Sequence, residues 1–197
     1  MSTTTTTSSH SKETLRLFLV RGVVAITWAA VFAAVSGSLT TAVTVGAGIL
    51  LVLYPLIDVV FSLFDARSQH GSVRQLLVAN AAVSAATAVA LGVASTAGVS
   101  QAFAVFGAWA FVTGAAQVVV AVRRRAQLGN QWPMLLAGSL STIGGIAFVI
   151  AGLVGTPMLS MLVIYAATGG VDFAVQAWLL ARRRRRAGHV SPVLSTS

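Results

Sequence analysis

Residues 101–125 read QAFAVFGAWAFVTGAAQVVVAVRRR, a run without a charge that ends in three arginines. A helix needs about 20 apolar residues to cross a ~30 Å hydrocarbon core, and Gln101–Val122 meets that length. Its Ala, Val, Phe and Gly residues show no period of two. A helix is therefore favoured over a transmembrane β-strand, which alternates and runs only about 9–11 residues. Five further stretches have the same character: Leu17–Ser36, Thr41–Phe64, Leu76–Ala94, Pro133–Val154 and Met158–Ala181. In lipid each backbone N–H and C=O must find its partner within the segment, which a helix provides. The sequence predicts an all-α membrane protein of six transmembrane helices arranged as three helical hairpin repeats.

Composition agrees. The 197 residues are 56% hydrophobic and 9% charged, where soluble proteins carry roughly 25% charged residues. Mean hydropathy is +0.87. The chain has no Cys, which excludes disulfides, thiolate chemistry and Cys-ligated metals. Thirteen Lys and Arg against four Asp and Glu give a formal charge of +9. These basic residues cluster between apolar blocks: Lys12, Arg16 and Arg21 at the first span, Arg67 and Arg74 after the second, Arg123–Arg125 after the fourth, Arg182–Arg186 after the sixth. The connections around Gly37, Gly98 and Gly155 carry no charge. Six spans place every basic cluster on one side, which the positive-inside rule assigns to the cytoplasm. The expectation is a multi-pass protein of the inner (plasma) membrane with both termini cytoplasmic. A signal peptide is the rival reading of the first span, with small residues at Ala34–Ser36; its cleavage would undo the charge pattern. Residues 1–15 and 187–197 are polar and read as disordered cytoplasmic tails flanking a transmembrane domain over 16–186.

A threefold repeat is visible in the even-numbered spans. LYPLIDVVFSLFDAR, AWAFVTGAAQVVVAVR and ATGGVDFAVQAWLLAR slide together without gaps. This aligns Asp58, Thr113 and Asp172, with Ser62, Gln117 and Gln176 four residues later and Tyr54, Trp109 and Thr168 four earlier. Residues four apart share a helix face, so each even span carries a polar stripe. The odd spans contribute small residues: Gly22, then Asn80 and Ala81, then Gly138, Gly144 and Gly145. A unit of this kind buries its faces against copies of itself.

The Arg21–Gly22 pair opening an apolar span, the run Tyr54-Pro55-Leu56-Ile57-Asp58, and FGAWAFVTGAAQ with its trailing Arg resemble the HdeD-like family of bacterial short-repeat integral membrane proteins. The similarity extends over residues 15–186. It implies a six-span inner-membrane protein associated with acid resistance, for which the family offers no established molecular activity. The chain departs from the family pattern at Val59 and at Ser36–Ser38.

Six residues are candidates for intramembrane polar or proton-titratable roles: Asp58, Asp172, Thr113, Arg21, Gln117 and Gln176. Asp58 lies nine residues, about 13 Å, from Arg67, and Asp172 ten residues, about 15 Å, from Arg182. Both acids then sit near mid-bilayer, where an ionisable group is a functional hypothesis by default. They are read either as a titratable pair on a solute or proton path, or as polar glue between helices. Thr113 at the equivalent place favours glue. Arg21 leans toward the N-terminal end of its helix and is expected to snorkel to the interface, in preference to pairing with Asp58 or Asp172. Asn80, Gln117 and Gln176 are expected to bond across helices, and Gly144, Gly145, Gly169 and Gly170 to allow close backbone approach. Pro55 is expected to kink span two beside Asp58. Trp132 reads as an interface anchor; Trp28, Trp109 and Trp178 read as packing residues.

The arginine runs set topology and attract anionic lipid headgroups. Association with a second copy or another membrane protein is left open, and nucleic acid is not expected without a soluble module to position contacts. The scattered His10, His70 and His189 make no metal site, and no catalytic or cofactor motif occurs. A non-enzymatic protein without cofactor is the first reading, and a small proton-coupled transporter or channel using Asp58 and Asp172 the alternative.

Overall fold

In a computed structural model the chain forms six helices: α1 (Thr4–Ser36), α2 (Val45–Arg67), α3 (Gly71–Ala97), α4 (Val99–Leu128), α5 (Trp132–Leu153) and α6 (Ser160–Gly188). Residues 4–36, 42–128 and 132–188 are described, with side chains over 15–36, 42–125 and 132–182. All six helices are long and apolar enough to cross a membrane. Helix α1 starts at Thr4, ahead of the apolar boundary at Leu17, because no Pro or Gly precedes Gly22 to stop an established helix from extending backward. Most of the expected C-terminal tail lies outside the described residues, as does the connection around Gly37. Pro55 is buried within an uninterrupted α2.

Large apolar side chains cover the outside, among them Val23, Val45, Val89, Ile143, Leu153 and Ile164. Such a surface suits hydrocarbon rather than water. Neighbouring helices run antiparallel: Trp28 donates to the Leu50 carbonyl at 2.8 Å, while Arg21 meets Asp58 nearer the other ends of the same pair. Up-and-down alternation puts Arg67, Arg74, Arg123–Arg125 and Arg182 at one end of the bundle.

The tightest helix pairs are α4 with α5, α2 with α3, and α1 with α6; α1 with α2 and α5 with α6 touch only lightly. Close packing therefore joins one hairpin repeat to the next, and the pairing of α6 with α1 closes a ring. Small residues at seven-residue spacing make this possible. On α5, Gly138, Gly145 and Gly152 are buried. A Cβ on Gly145 would lie 2.6 Å from the Gly107 carbonyl oxygen, and one on Gly152 2.7 Å from that of Ser100. The same register recurs as Gly22, Ala29 and Ser36 on α1, and as Ala81, Ala88 and Ser95 on α3. A seven-residue contact period keeps one seam facing its partner along the helix. Of the glycines expected to permit close approach, Gly145 and Gly170 do so. Gly144 has open space at its Cβ position, and Gly169 meets only the Tyr54 hydroxyl at 3.9 Å.

Contacts at the seams also fix which residues are equivalent. Gly138 packs on Gly114 as Gly22 packs on Gly170. Gly170 thus takes the place of Gly114, which sets Tyr165 level with Trp109 and Gly169 level with Thr113. The gapless alignment of α6 is displaced by three residues, and Asp172 is not the counterpart of Asp58. The polar stripe misled because residues three and four apart occupy the same helix face.

Gly145→Ala is expected to cost about 1–3 kcal/mol through overpacking of the α4–α5 seam. Gly144→Ala should stay within about 0.5 kcal/mol. Thermal unfolding in detergent compares the two, and equal melting temperatures would contradict this register.

Candidate functional site

The ring encloses a partly open cavity of about 430 Å³ with walls from all six helices. Arg21, Asp58, Thr113, Gln117, Asp172 and Gln176 all line it. Its deepest walls are Tyr54, Trp109, Ser141 and Tyr165, toward mid-helix. Beyond them, on the side away from the arginines, Phe32, Leu51, Leu91, Phe103, Phe106 and Leu162 pack with no more than 1% exposure. Tyr54 stands edge-on to Trp109 and to Tyr165, at centroid distances of 5.6 and 6.4 Å. Phe106 is edge-on to Tyr165 at 5.5 Å. The cavity therefore occupies the arginine half of the bundle, and an aromatic layer floors it.

Asp58 is the centre of a network built from four helices. Its Oδ1 accepts from Arg21 Nη2 of α1 at 3.0 Å. Its Oδ2 accepts from Asn80 Nδ2 at 2.7 Å and from Ser84 Oγ at 2.8 Å, both on α3. Ser84 Oγ in turn accepts from Trp109 Nε1 of α4 at 2.9 Å. Asn80 spends its second amide hydrogen on Ser62 Oγ at 3.1 Å. All three groups facing Asp58 donate, as an acceptor-only carboxylate requires.

The ion pair overturns the expectation that Arg21 snorkels. Arg21 lies six residues, about 9 Å, from Leu15, where the apolar part of α1 begins, and Asp58 about 13 Å from Arg67. The two heights differ by a few ångströms, well within the reach of a guanidinium. A buried carboxylate without a partner is far costlier than an unfavourable lean of the Arg side chain. Phe173 and Phe61 flank the guanidinium, with Cζ 4.7 and 5.2 Å from their ring centroids.

Asp172 has a different setting. It accepts a hydrogen bond from Gln176 of its own helix, and among the described residues Gln176 shows no bond across helices. Thr113 is also turned onto its own helix, donating to the Trp109 carbonyl at 2.9 Å. Ser141 Oγ donates to the Ala110 carbonyl at 3.0 Å. With that hydrogen committed, its 2.6 Å contact with the Tyr165 hydroxyl has Tyr165 as the donor. This link fastens α4, α5 and α6 at the floor.

A second ion pair joins α2 to α4 near the arginine end, where Arg124 Nη2 lies 3.0 Å from Asp65 Oδ2. Arg124 is buried, at 5% exposure, and is not one of the surface charges its run suggests. The pair is a charge contact rather than a hydrogen bond, since Nη2 and Nε both lack an acceptor of suitable geometry. Trp132 is half-exposed at the start of α5, as an interface anchor would be, and Trp28 and Trp109 are buried. Trp178 is 57% exposed. It faces outward beside Arg182, whose Cζ is 5.3 Å from its ring, and does not pack between helices.

Ser84, Ser141, Tyr165 and the Asp65–Arg124 pair were not singled out by the sequence reading. Asn80 and Ser84, four apart on an otherwise bland α3, formed a legible polar face. Asp58→Asn is expected to lower stability by about 3 kcal/mol, at the low end for breaking a buried pair, since it strands Arg21. Asp172→Asn should cost less than about 1 kcal/mol. Thermal melts of the two variants separate these roles, and equal losses would contradict them.

Residues 82–150, from α3 through most of α5, match the model of a family described as a short repeat of unknown function (DUF308). No curated protein and no solved structure matches the chain. Roughly a third of the chain, including the Gly107, Gly114, Gly138 and Gly145 seam, is thus similar to this short repeat.

Proposed function

We propose that this chain is a non-enzymatic, multi-pass membrane protein of the HdeD-like kind that holds a small amphiphilic molecule in one half of the bilayer. One observation carries the reading: a cavity of about 430 Å³, walled by all six helices and floored by aromatic side chains. Pockets of roughly 300–1,000 Å³ with apolar walls and a few convergent polar groups suit small-molecule binding. The aromatic floor weighs against a continuous path for solutes. The donors fixed around Asp58 weigh against its acting as one of two relay acids. By the positive-inside rule the cavity faces the cytoplasmic half of the inner membrane, both termini lie in the cytoplasm, and anionic headgroups gather at the arginine clusters. A contribution to envelope or acid-stress tolerance is the finer assignment, supported by the short-repeat match and the HdeD-like motifs.

The chain lacks Cys, so single cysteines report access on a clean background. Thr113→Cys in membrane vesicles is expected to react with a charged methanethiosulfonate from the arginine side alone. Labelling from both sides would make the floor a leak, and labelling from neither would remove the cavity. Proteoliposomes under a proton gradient should show no protein-dependent flux; a reproducible flux would instead favour a transporter using Asp58 and Asp172. A strain lacking the chain is expected to survive acid challenge less well than its parent, and equal survival would remove the stress assignment.

A further inference from the structure

Five charged side chains line the cavity: Arg21, Arg124, Asp58, Asp65 and Asp172. Arg21 balances Asp58 and Arg124 balances Asp65, each at 3.0 Å. Asp172 is left over. Among the described residues its carboxylate enters no ion pair, and Gln176 is a neutral donor. The lining as a whole carries one uncompensated negative charge, within low-dielectric walls that strengthen its field.

Aromatic rings line the same cavity. Tyr54, Trp109 and Tyr165 form the floor, and Phe173 follows Asp172 in the chain. The same walls already hold a cation: the Arg21 guanidinium sits against Phe173 and Phe61. Ring faces attract cations through their quadrupole, more strongly where water is excluded.

Access is lateral. Helices α5 and α6 touch only lightly. Leu136 and Leu140 of α5 and Val171 of α6 line the cavity and are more than half exposed. Thr168 of α6 is both lining and exposed as well. The cavity runs out between these two helices at hydrocarbon depth. An inorganic cation has no route through such a seam, and among the described residues no group of three or more His, Asp or Glu side chains is placed to hold one. An anion meets the surplus charge of Asp172, while the spare donors of Arg124 lie nearer the arginine end and have their charge balanced by Asp65.

We infer that the cavity takes lipophilic organic monocations, which enter between α5 and α6 and place their charged centre beside Asp172 and their apolar groups on the aromatic floor. This deepens the receptacle reading proposed above and rests on it. The complementarity is of two kinds, one carboxylate for one positive charge and flat aromatic surface for apolar substituents.

The test uses the full-length protein in detergent with radiolabelled tetraphenylphosphonium, and with tetraphenylborate as an anion of matching shape. Wild type should bind the phosphonium saturably and in preference to the borate. Asp172→Asn should weaken phosphonium binding by at least about tenfold, the effect of removing a partly desolvated charge partner, with an unchanged melting temperature. Asp172→Glu should retain binding. Undiminished phosphonium binding by Asp172→Asn would overturn the role of this charge while leaving the receptacle standing. Preference for the borate would overturn the inference in favour of the Arg124 donors. Absence of binding by either probe, with Thr113→Cys still labelled, would sink the inference alone; absence together with an unlabelled cysteine would sink the receptacle too.

Discussion

Backbone-to-backbone approach along three helix seams is the constraint from which the rest of this structure follows. Without a hydrophobic drive between helices in lipid, association depends on close packing and on hydrogen bonds. Gly138, Gly145 and Gly152 let α5 lie directly against the α4 backbone, and their counterparts on α1 and α3 repeat the register with Ala and Ser. Each seam joins different hairpins, so three hairpins can only settle by closing on themselves. The closed ring has a centre that side chains must fill or leave open. In the half away from the arginines Phe32, Phe103 and Phe106 fill it; in the arginine half, shorter and polar side chains leave the cavity.

The two intramembrane acids show how position within that ring decides chemistry. Asp58 lies where four helices converge and accepts from Arg21, Asn80 and Ser84. Such a network ties α1, α2, α3 and α4 together, with each interhelical bond worth about 0.6–2 kcal/mol. The light contact between α1 and α2 makes the Arg21–Asp58 pair a principal link between them. Asp172, three residues out of register with Asp58, misses all of these donors and faces open space instead. The repeat has kept its packing while its polar groups have diverged: Tyr54, Trp109 and Tyr165 stay level at the floor, whereas Asp58, Thr113 and Gly169 do not share one chemistry.

Uneven seams give the cavity its direction. Where α5 meets α6 the contact is slight, and the Ser141–Tyr165 bond at the floor is a polar tie between them. Above that bond Leu136, Leu140 and Val171 form the sides of a lateral opening. A closed floor and an open side favour exchange with the bilayer over passage across it.

Amino-acid order by itself determined the number of spans, their alternation and the gathering of arginines at one end. These depend on local hydropathy over about 20 residues and on charge placement, both written directly in the chain. It also exposed the repeat and the polar residues that come to line the cavity, because i, i+4 spacing marks a helix face. Tertiary structure alone decided which helices pair, since apolar faces of similar composition do not name their partners. It decided too that Arg21 reaches Asp58, that Arg124 is buried against Asp65, and that Asp172 stands apart. Those outcomes turn on relative heights and rotations of neighbouring helices to within a few ångströms, and such offsets are fixed by where small residues allow two backbones to meet.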